Sequence, residues 1–365
     1  MNRDRIRDFG LRSRRDDGDR DPGPSAAEAE RELVLSVRNL STVYETEDST
    51  VHAVRNLSLD LRPTERLGVV GESGSGKSAL ALSIIGLIEP PGRVVDGEIE
   101  LNGRDISKLS DRQLAAVRGK EIALILQDPS TALDPVKTIG HQIIEALAAH
   151  EPGLRRSAGR RRAAELLGEV EIAGGERRLD EYPHQFSGGM RQRVALAMAI
   201  ASNPDVLIAD EPTTALDVTT QAQVLSLLDR LVDEHRTAVI LITHNLGVVS
   251  EFCDSVAVMY AGRLVETSGA EHIFRVPTHP YSEALLNCVP NPERLVSGQL
   301  PAIEGFPPNL SELPSGCSFE PRCPLGKGLA QCRQQEPRPH RVEGPDGPAT
   351  VECHFAESRM TELSA

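Results

Sequence analysis

Gly71, Gly76, Lys77 and Ser78 stand in the order G-x-x-x-x-G-K-S within LGVVGESGSGKSALALSIIGL. That spacing suits a polyphosphate. Glycines leave backbone N–H groups free to wrap anionic oxygens, and a helix starting at the lysine adds the positive end of its dipole. Ser73, Gly74 and Ala79 belong to the same cradle. Lys77 has the reach for β- and γ-phosphates, and the Ser78 hydroxyl suits Mg²⁺. In DVLIADEP an apolar run ends on Asp210, which can hold Mg²⁺ through water, and Glu211 is placed to act as general base on a water. Ser187-Gly188-Gly189, before MRQRVALAMAI, forms a second anion-binding turn at a helix start. One nucleotide does not require two cradles from one chain.

Four of the six cysteines, Cys317, Cys323, Cys332 and Cys353, fall late in the chain with the spacing C-x₅-C-x₈-C-x₂₀-C. The tight C-x₂₋₄-C pair that usually begins a structural zinc site is missing. Cys323 is followed by Pro324, as in some ferredoxin-type ligand runs. Spacing alone leaves iron–sulfur, zinc and unligated thiols open. Cys253 and Cys288 read as buried small hydrophobes.

The elements that must carry these groups are legible. A short apolar strand, Leu67 to Val70, enters the Gly-rich turn, and an apolar-periodic helix leaves it. Two further apolar runs, DVLIAD and TAVILIT, read as buried strands, with His244 just beyond the second. AALAAH and AAELLGEV read as helices, and the arginines of RRSAGRRR as a solvated face. Residues 1–32 are dense in mixed charge without apolar periodicity, which predicts a disordered tail and no signal peptide. No apolar run approaches the roughly 18 residues of a membrane-spanning helix. A soluble, cytosolic chain of 365 residues is therefore expected, and there cysteines serve metals or catalysis more readily than disulfides. The net charge of −14 argues against a nucleic-acid partner.

Taken in order, these motifs resemble the ABC ATPases, and the resemblance runs from about Leu33 onward. It implies an α/β fold with a P-loop (RecA-like) core, a helical subdomain and a Pro/Cys-rich C-terminal extension. Gln127 of LILQDP resembles the Q-loop, which senses the γ-phosphate or Mg²⁺. Ser187 to Met190 resembles the signature motif, which contacts nucleotide held by a partner subunit in a head-to-tail dimer. Ala215-Leu216-Asp217 is similar to the D-loop, His244 to the switch histidine, and Tyr44 to the aromatic that stacks on adenine. The resemblance thus implies ATP bound by Tyr44, Gly71, Ser73, Gly74, Gly76, Lys77, Ser78, Ala79, Gln127, Asp210 and the Ser187–Gly189 turn. Mg²⁺ would sit on Ser78, Gln127 and Asp210, and catalysis would fall to Glu211, His244, Gln127 and Lys77.

QDPSTALDP, YPHQFSGGMRQR, VMYAGRLVE and THPYSEALL are similar to the dipeptide/oligopeptide importer branch. Met190 replaces the wider family's common glutamine, as it often does in this branch. Ser130 and Asp134 depart from the branch's usual methionine and asparagine. The branch implies residues 33–278 as the nucleotide-binding domain, with its helical subdomain at about 128–204, and 279–365 as the extension. It implies a [4Fe–4S] cluster on Cys317, Cys323, Cys332 and Cys353. The implied partners are a second, homologous ATPase subunit, two transmembrane permeases and an extracytoplasmic solute-binding protein. The implied location is the cytoplasmic face of the membrane, peripherally. Branch members also move nickel or sugars. A soluble ABC ATPase of DNA repair or translation fits less well, because this chain has one cassette and no heptads. An inactive regulatory cassette is disfavoured by the filled catalytic positions.

Overall fold

Five strands of Val, Ile, Leu and Ala, almost free of charge, need apolar cover on both faces, and they form the centre of one sheet. The computed structural model describes residues 33–128, 132–214, 216–289 and 302–364; the charged tail over 1–32, Ser130 and Ala215 lie outside these. The central strands are β3 (Arg66–Val70), β6 (Ile122–Ile125), β7 (Val206–Asp210), β8 (Ala238–Ile242) and β9 (Ser255–Tyr260). They run parallel in the order β9-β3-β8-β7-β6. Alternate residues feed two different cores. Leu67, Val69, Ile208 and Ile240 enter one, and Val70, Leu207, Ala209 and Leu241 enter the other.

The first core is closed by an antiparallel sheet of β1 (Leu35–Glu45), β2 (Thr50–Leu61), β4 (Gly92–Leu101) and β5 (Arg104–Asp105), in the order β2-β1-β4-β5. Between the sheets lies α1 (Lys77–Ile84), whose Leu80, Ala81 and Ile84 are buried there. The short α2 (Asp111–Val117) opens on a capping box from Ser110 and Gln113. On the other face, α3 (Ile139–His150), α4 (Arg156–Glu169) and α5 (Gly188–Ile200) pack through Ile143, Leu147, Ala163, Leu167, Val194 and Ala197. The RRSAGRRR arginines point outward from α4, where Arg160 pairs with Asp180 at 2.7 Å and Arg162 with Glu169 at 2.6 Å. Next come α6 (Val218–His235) and α7 (Leu246–Phe252). No helix among the described residues is long and apolar enough to cross a membrane.

Beyond β10 (Arg263–Gly269), α8 (Ala270–Arg275) and α9 (Pro280–Asn287), the chain passes through the cysteine region to α10 (Ala330–Gln334), β11 (His340–Gly344), β12 (Gly347–Val351) and α11 (Ala356–Ser364). Strand β12 pairs antiparallel with β10, placing Glu266 opposite Val351, so β12 and β11 continue the main sheet. Phe319 is 1% exposed and meets Tyr260 and Tyr281 edge-on, with ring centroids at 5.3 and 5.4 Å. Below this cluster, the fully buried Glu266 carboxylate accepts the N–H groups of Thr278 and His279 at 2.8 and 2.9 Å. An apolar anchor and a hydrogen-bonded buried carboxyl thus bind the late segment to the core. Phe319→Ala should destabilise the chain by about 3–5 kcal/mol. Chemical denaturation would show a loss below about 1 kcal/mol if the anchor were dispensable.

Candidate active site

The loop from Gly71 to Ser78 joins β3 to α1 and can close only with glycine at its tightest points. A Cβ on Gly76, whose φ is 106°, would lie 2.1 Å from the Ala53 carbonyl; one on Gly71 would lie 2.1 Å from that of Met259. Lys77 is folded back over the loop, its Nζ donating to the Gly71 and Glu72 carbonyls at 2.9 Å each. Burial lowers its pKa, while the charges of Glu211, Asp210 and Glu72 pull the other way. Ser73, Gly74 and Ser78 are exposed and Ala79 is half-buried, so the outer wall of the cradle is open.

Asp210 ends β7 with its carboxyl buried and engaged by the Ser78 hydroxyl. Burial raises its pKa, the Ser78 bond and Lys77 charge lower it, and the neighbouring Glu211 charge raises it further. Its Oδ1 has no hydrogen-bond partner. An orphaned buried oxygen beside a serine hydroxyl fits a hard divalent cation such as Mg²⁺.

One residue on, Glu211 adopts a left-handed backbone, φ 46°, which is strained for a side chain of this type by roughly 1–2 kcal/mol. Its N–H is fixed to the Ile242 carbonyl at 2.8 Å. Three side chains converge on its carboxylate. Gln127 Nε2 donates to Oε2 at 2.9 Å, the Thr214 hydroxyl donates to the same oxygen at 2.8 Å, and His244 Nδ1 lies 3.1 Å from Oε1. Burial pushes the Glu211 carboxyl up, but the bonds from Thr214 and His244, with the Lys77 charge, outweigh it and hold it below its ordinary value. The result is an ionised, oriented carboxylate. Gln127, Glu211 and His244, read separately from sequence, therefore form one cluster, and Lys77 and Asp210 are electrostatically coupled to it.

Other candidates sit on other elements. Ser187 caps α5, its Oγ accepting the Met190 N–H at 3.3 Å, and Gly188 and Gly189 pack near Leu216 and Thr220. Asp217 caps α6 by accepting the Thr220 N–H. Tyr44 is half-buried on β1, its ring against Gly92. Thr214, Glu72 and Ser75 are site neighbours that motif reading missed; Ser75 Oγ lies 3.4 Å from Lys77 Nζ. Glu72 and Ser75 occupy unrestricted positions of the loop motif, and Thr214 lies three residues after Glu211, where only the turn reveals its partner.

The four late cysteines influence one another. Burial pushes the Cys317 thiol up to about 12 and the Cys353 thiol up to about 11, and the neighbouring cysteines push both in the same direction. Gly326 sits between Cys332 and Cys323, where an added Cβ would lie 2.9 and 3.5 Å from their sulfurs. Backbone N–H groups of Gly326 and Phe355 donate to the sulfurs of Cys323 and Cys353 at 3.2 and 3.4 Å, and that of Phe319 to Cys317. Four thiols, three of them supplied with N–H donors, fit a soft metal centre as a donor set. Among the described residues, however, no group of three or more His, Cys, Asp or Glu is spaced to hold a metal ion. Cys253 is buried against Gly68, as expected, whereas Cys288, the residue after α9, is only half-buried.

Comparison with known proteins decides the family. The ABC transporter family matches residues 54–214, and the family described as oligopeptide/dipeptide transporter, C-terminal region, matches residues 265–332. The chain is 49% identical to the "Probable peptide ABC transporter ATP-binding protein y4tR" of Sinorhizobium fredii, over 84% of this chain and 91% of the relative. The chain belongs to the oligopeptide/dipeptide ABC transporter ATP-binding family. Other family members include the oligopeptide transport ATP-binding protein OppD of Salmonella typhimurium, 48% identical over 80% of this chain and 86% of that one. The dipeptide transport ATP-binding protein DppD of Escherichia coli is 45% identical over 88% and 96%. Among solved structures, the ABC cassette MJ0796, described as dimeric, aligns with TM-score 0.58 and 28% identity over 65% of this chain and 98% of its own. This ABC ATPase therefore shares its cassette fold with MJ0796.

Thr214→Val removes a donor that favours ionised Glu211, so the carboxyl should titrate higher. The acid limb of the pH profile for ATP hydrolysis should move to higher pH. An unmoved limb would separate Thr214 from the base.

Proposed function

We propose that the chain is the ATP-hydrolysing subunit of a multi-subunit ABC importer of dipeptides and oligopeptides, acting peripherally at the cytoplasmic face of a membrane. The observation that carries this reading is the convergence of Gln127, Thr214 and His244 on Glu211, beside Asp210 and the Lys77 loop. The peptide substrate class is supported by the names of the relatives and by the match of residues 265–332. The partners are a second, homologous ATPase subunit, two membrane-spanning permeases and an extracytoplasmic solute-binding protein.

In this reading Lys77 leaves the Gly71 and Glu72 carbonyls for the β- and γ-phosphates, and the loop N–H groups take the remaining oxygens. Tyr44 stacks on adenine. Ser78, Asp210 and Gln127 hold Mg²⁺, which supplies charge neutralisation on the phosphates when bound. Glu211 accepts the proton of the attacking water, while His244 orients it and contacts the γ-phosphate. The Ser187–Gly189 turn closes on the ATP of the partner subunit. Glu211→Gln should preserve ATP binding while lowering turnover and peptide uptake at least a hundredfold, because proton transfer is removed and the cradle is not. Lys77→Ala should weaken binding itself. Parental turnover in Glu211→Gln would reject the base.

We also propose that Cys317, Cys323, Cys332 and Cys353 hold a [4Fe–4S] cluster, a structural group that pins the extension. Its support is the donor set and the resemblance, against the open spacing of the sulfurs. Protein purified without oxygen should be brown, with iron and sulfide near 4:4 per chain. Serine at any of the four should bleach it; Cys253→Ser and Cys288→Ser should not. Colourless protein with stoichiometric zinc would reject iron, and metal-free protein would reject the site.

A further inference from the structure

Glu72 is the second residue of the phosphate loop, and its three polar handles are all engaged. Its carbonyl accepts Lys77 Nζ at 2.9 Å, and its N–H donates to the Tyr281 hydroxyl at 2.9 Å. Its carboxylate accepts both arms of the Arg322 guanidinium, at 2.6 and 3.0 Å. Two of these three partners come from the late segment: Tyr281 from α9, and Arg322 from the short turn Glu320–Arg322 next to Cys323.

Arg322 is held as firmly as it holds. Its side chain is 3% exposed; Nε donates to the Glu304 carbonyl at 3.0 Å, one arm reaches the Ile303 carbonyl at 3.4 Å, and the other reaches the Tyr260 hydroxyl at 3.3 Å. A planar fork fixed at every N–H cannot trade Glu72 for another anion without breaking the cluster around it. The arrangement meets a definite electrostatic problem. A loop that must wrap a polyphosphate carries its own carboxylate one residue from the first glycine. Left alone, that charge would repel the ligand across a few ångströms of partly desolvated space. The field of Glu72 does reach the phosphate-binding amine of Lys77.

We propose that Arg322 is a positioning residue for ATP binding: it neutralises the Glu72 carboxylate and turns it away from the phosphates, so that the extension sets the phosphate loop in its binding shape. The proposal rests on the loop being the ATP site. It assigns Arg322 a role through charge, and that separates it from a residue that merely fastens the extension to the core.

The test is titration of the full chain with the fluorescent nucleotide TNP-ATP, together with steady-state ATP hydrolysis. Arg322→Ala should weaken nucleotide binding roughly tenfold and raise KM for ATP, with kcat changed less than about twofold. Adding Glu72→Gln to Arg322→Ala should recover most of the lost affinity, because the stranded carboxylate is gone. Arg322→Lys, which keeps the charge but loses the fork, should fall between Arg322→Ala and the parent. Should Arg322→Ala melt before assay, Arg322→Gln makes the same comparison with nearly the same length. A double variant as weak as the single one would overturn the proposal and leave Arg322 as an anchor only. Parental affinity in Arg322→Ala would also overturn it. A parent chain that bound no nucleotide would instead overturn the site reading beneath it.

Discussion

The parallel register of β3, β8 and β7 is the constraint on which the rest of the site depends. Val69 and Asp210 both lie opposite Ile242, so the phosphate loop, the Asp210–Glu211 pair and the turn to His244 leave the sheet at one level. The backbone extends this alignment past the strand ends: Thr243 donates to the Val69 carbonyl and Glu211 to that of Ile242. A slip by one residue would exchange the two cores and turn Asp210 to the wrong face. Because both faces are covered with apolar side chains, such a slip is strongly disfavoured. Catalytic geometry is thereby inherited from hydrophobic packing.

Charge inside the site is arranged by pairing. Glu211, Asp210 and Glu72 surround one ammonium, Lys77, and each carboxylate has its own compensation: donors for Glu211, Ser78 for Asp210, a buried guanidinium for Glu72. Among the buried side-chain atoms of these groups, Asp210 Oδ1 lacks a hydrogen-bond partner. A site with this many carboxylates keeps its charge balanced because each has its own partner.

The phosphate loop, the Asp210–Glu211 pair and the strands that carry them were legible because each depends on local backbone chemistry: glycine for close approach, apolar runs for double burial, a helix start for anions. The assembly of Gln127, Glu211 and His244 was legible only through family resemblance, since three separate strand ends must be aligned before the side chains meet. Arg322 and Glu72 were invisible, because one charged residue among many carries no periodicity that announces a partner so distant in the chain. The cysteines gave a readable spacing, but spacing does not report whether sulfurs converge. Cys288 was misread for a related reason: burial at a helix end depends on what packs there.

Pairing of β10 with β12 has a consequence for how the protein is made. During synthesis β9 and β10 emerge well before β12, so the main sheet first exists with β10 as an unprotected edge whose outward-facing N–H and C=O groups have no partner. That edge is sealed only after the cysteine region has emerged and looped back, and the final edge, β11, then presents His340, Arg341 and Glu343 to water. A ribosome pausing or a protease cutting between these strands would leave a sticky, template-like border on an otherwise finished nucleotide-binding core.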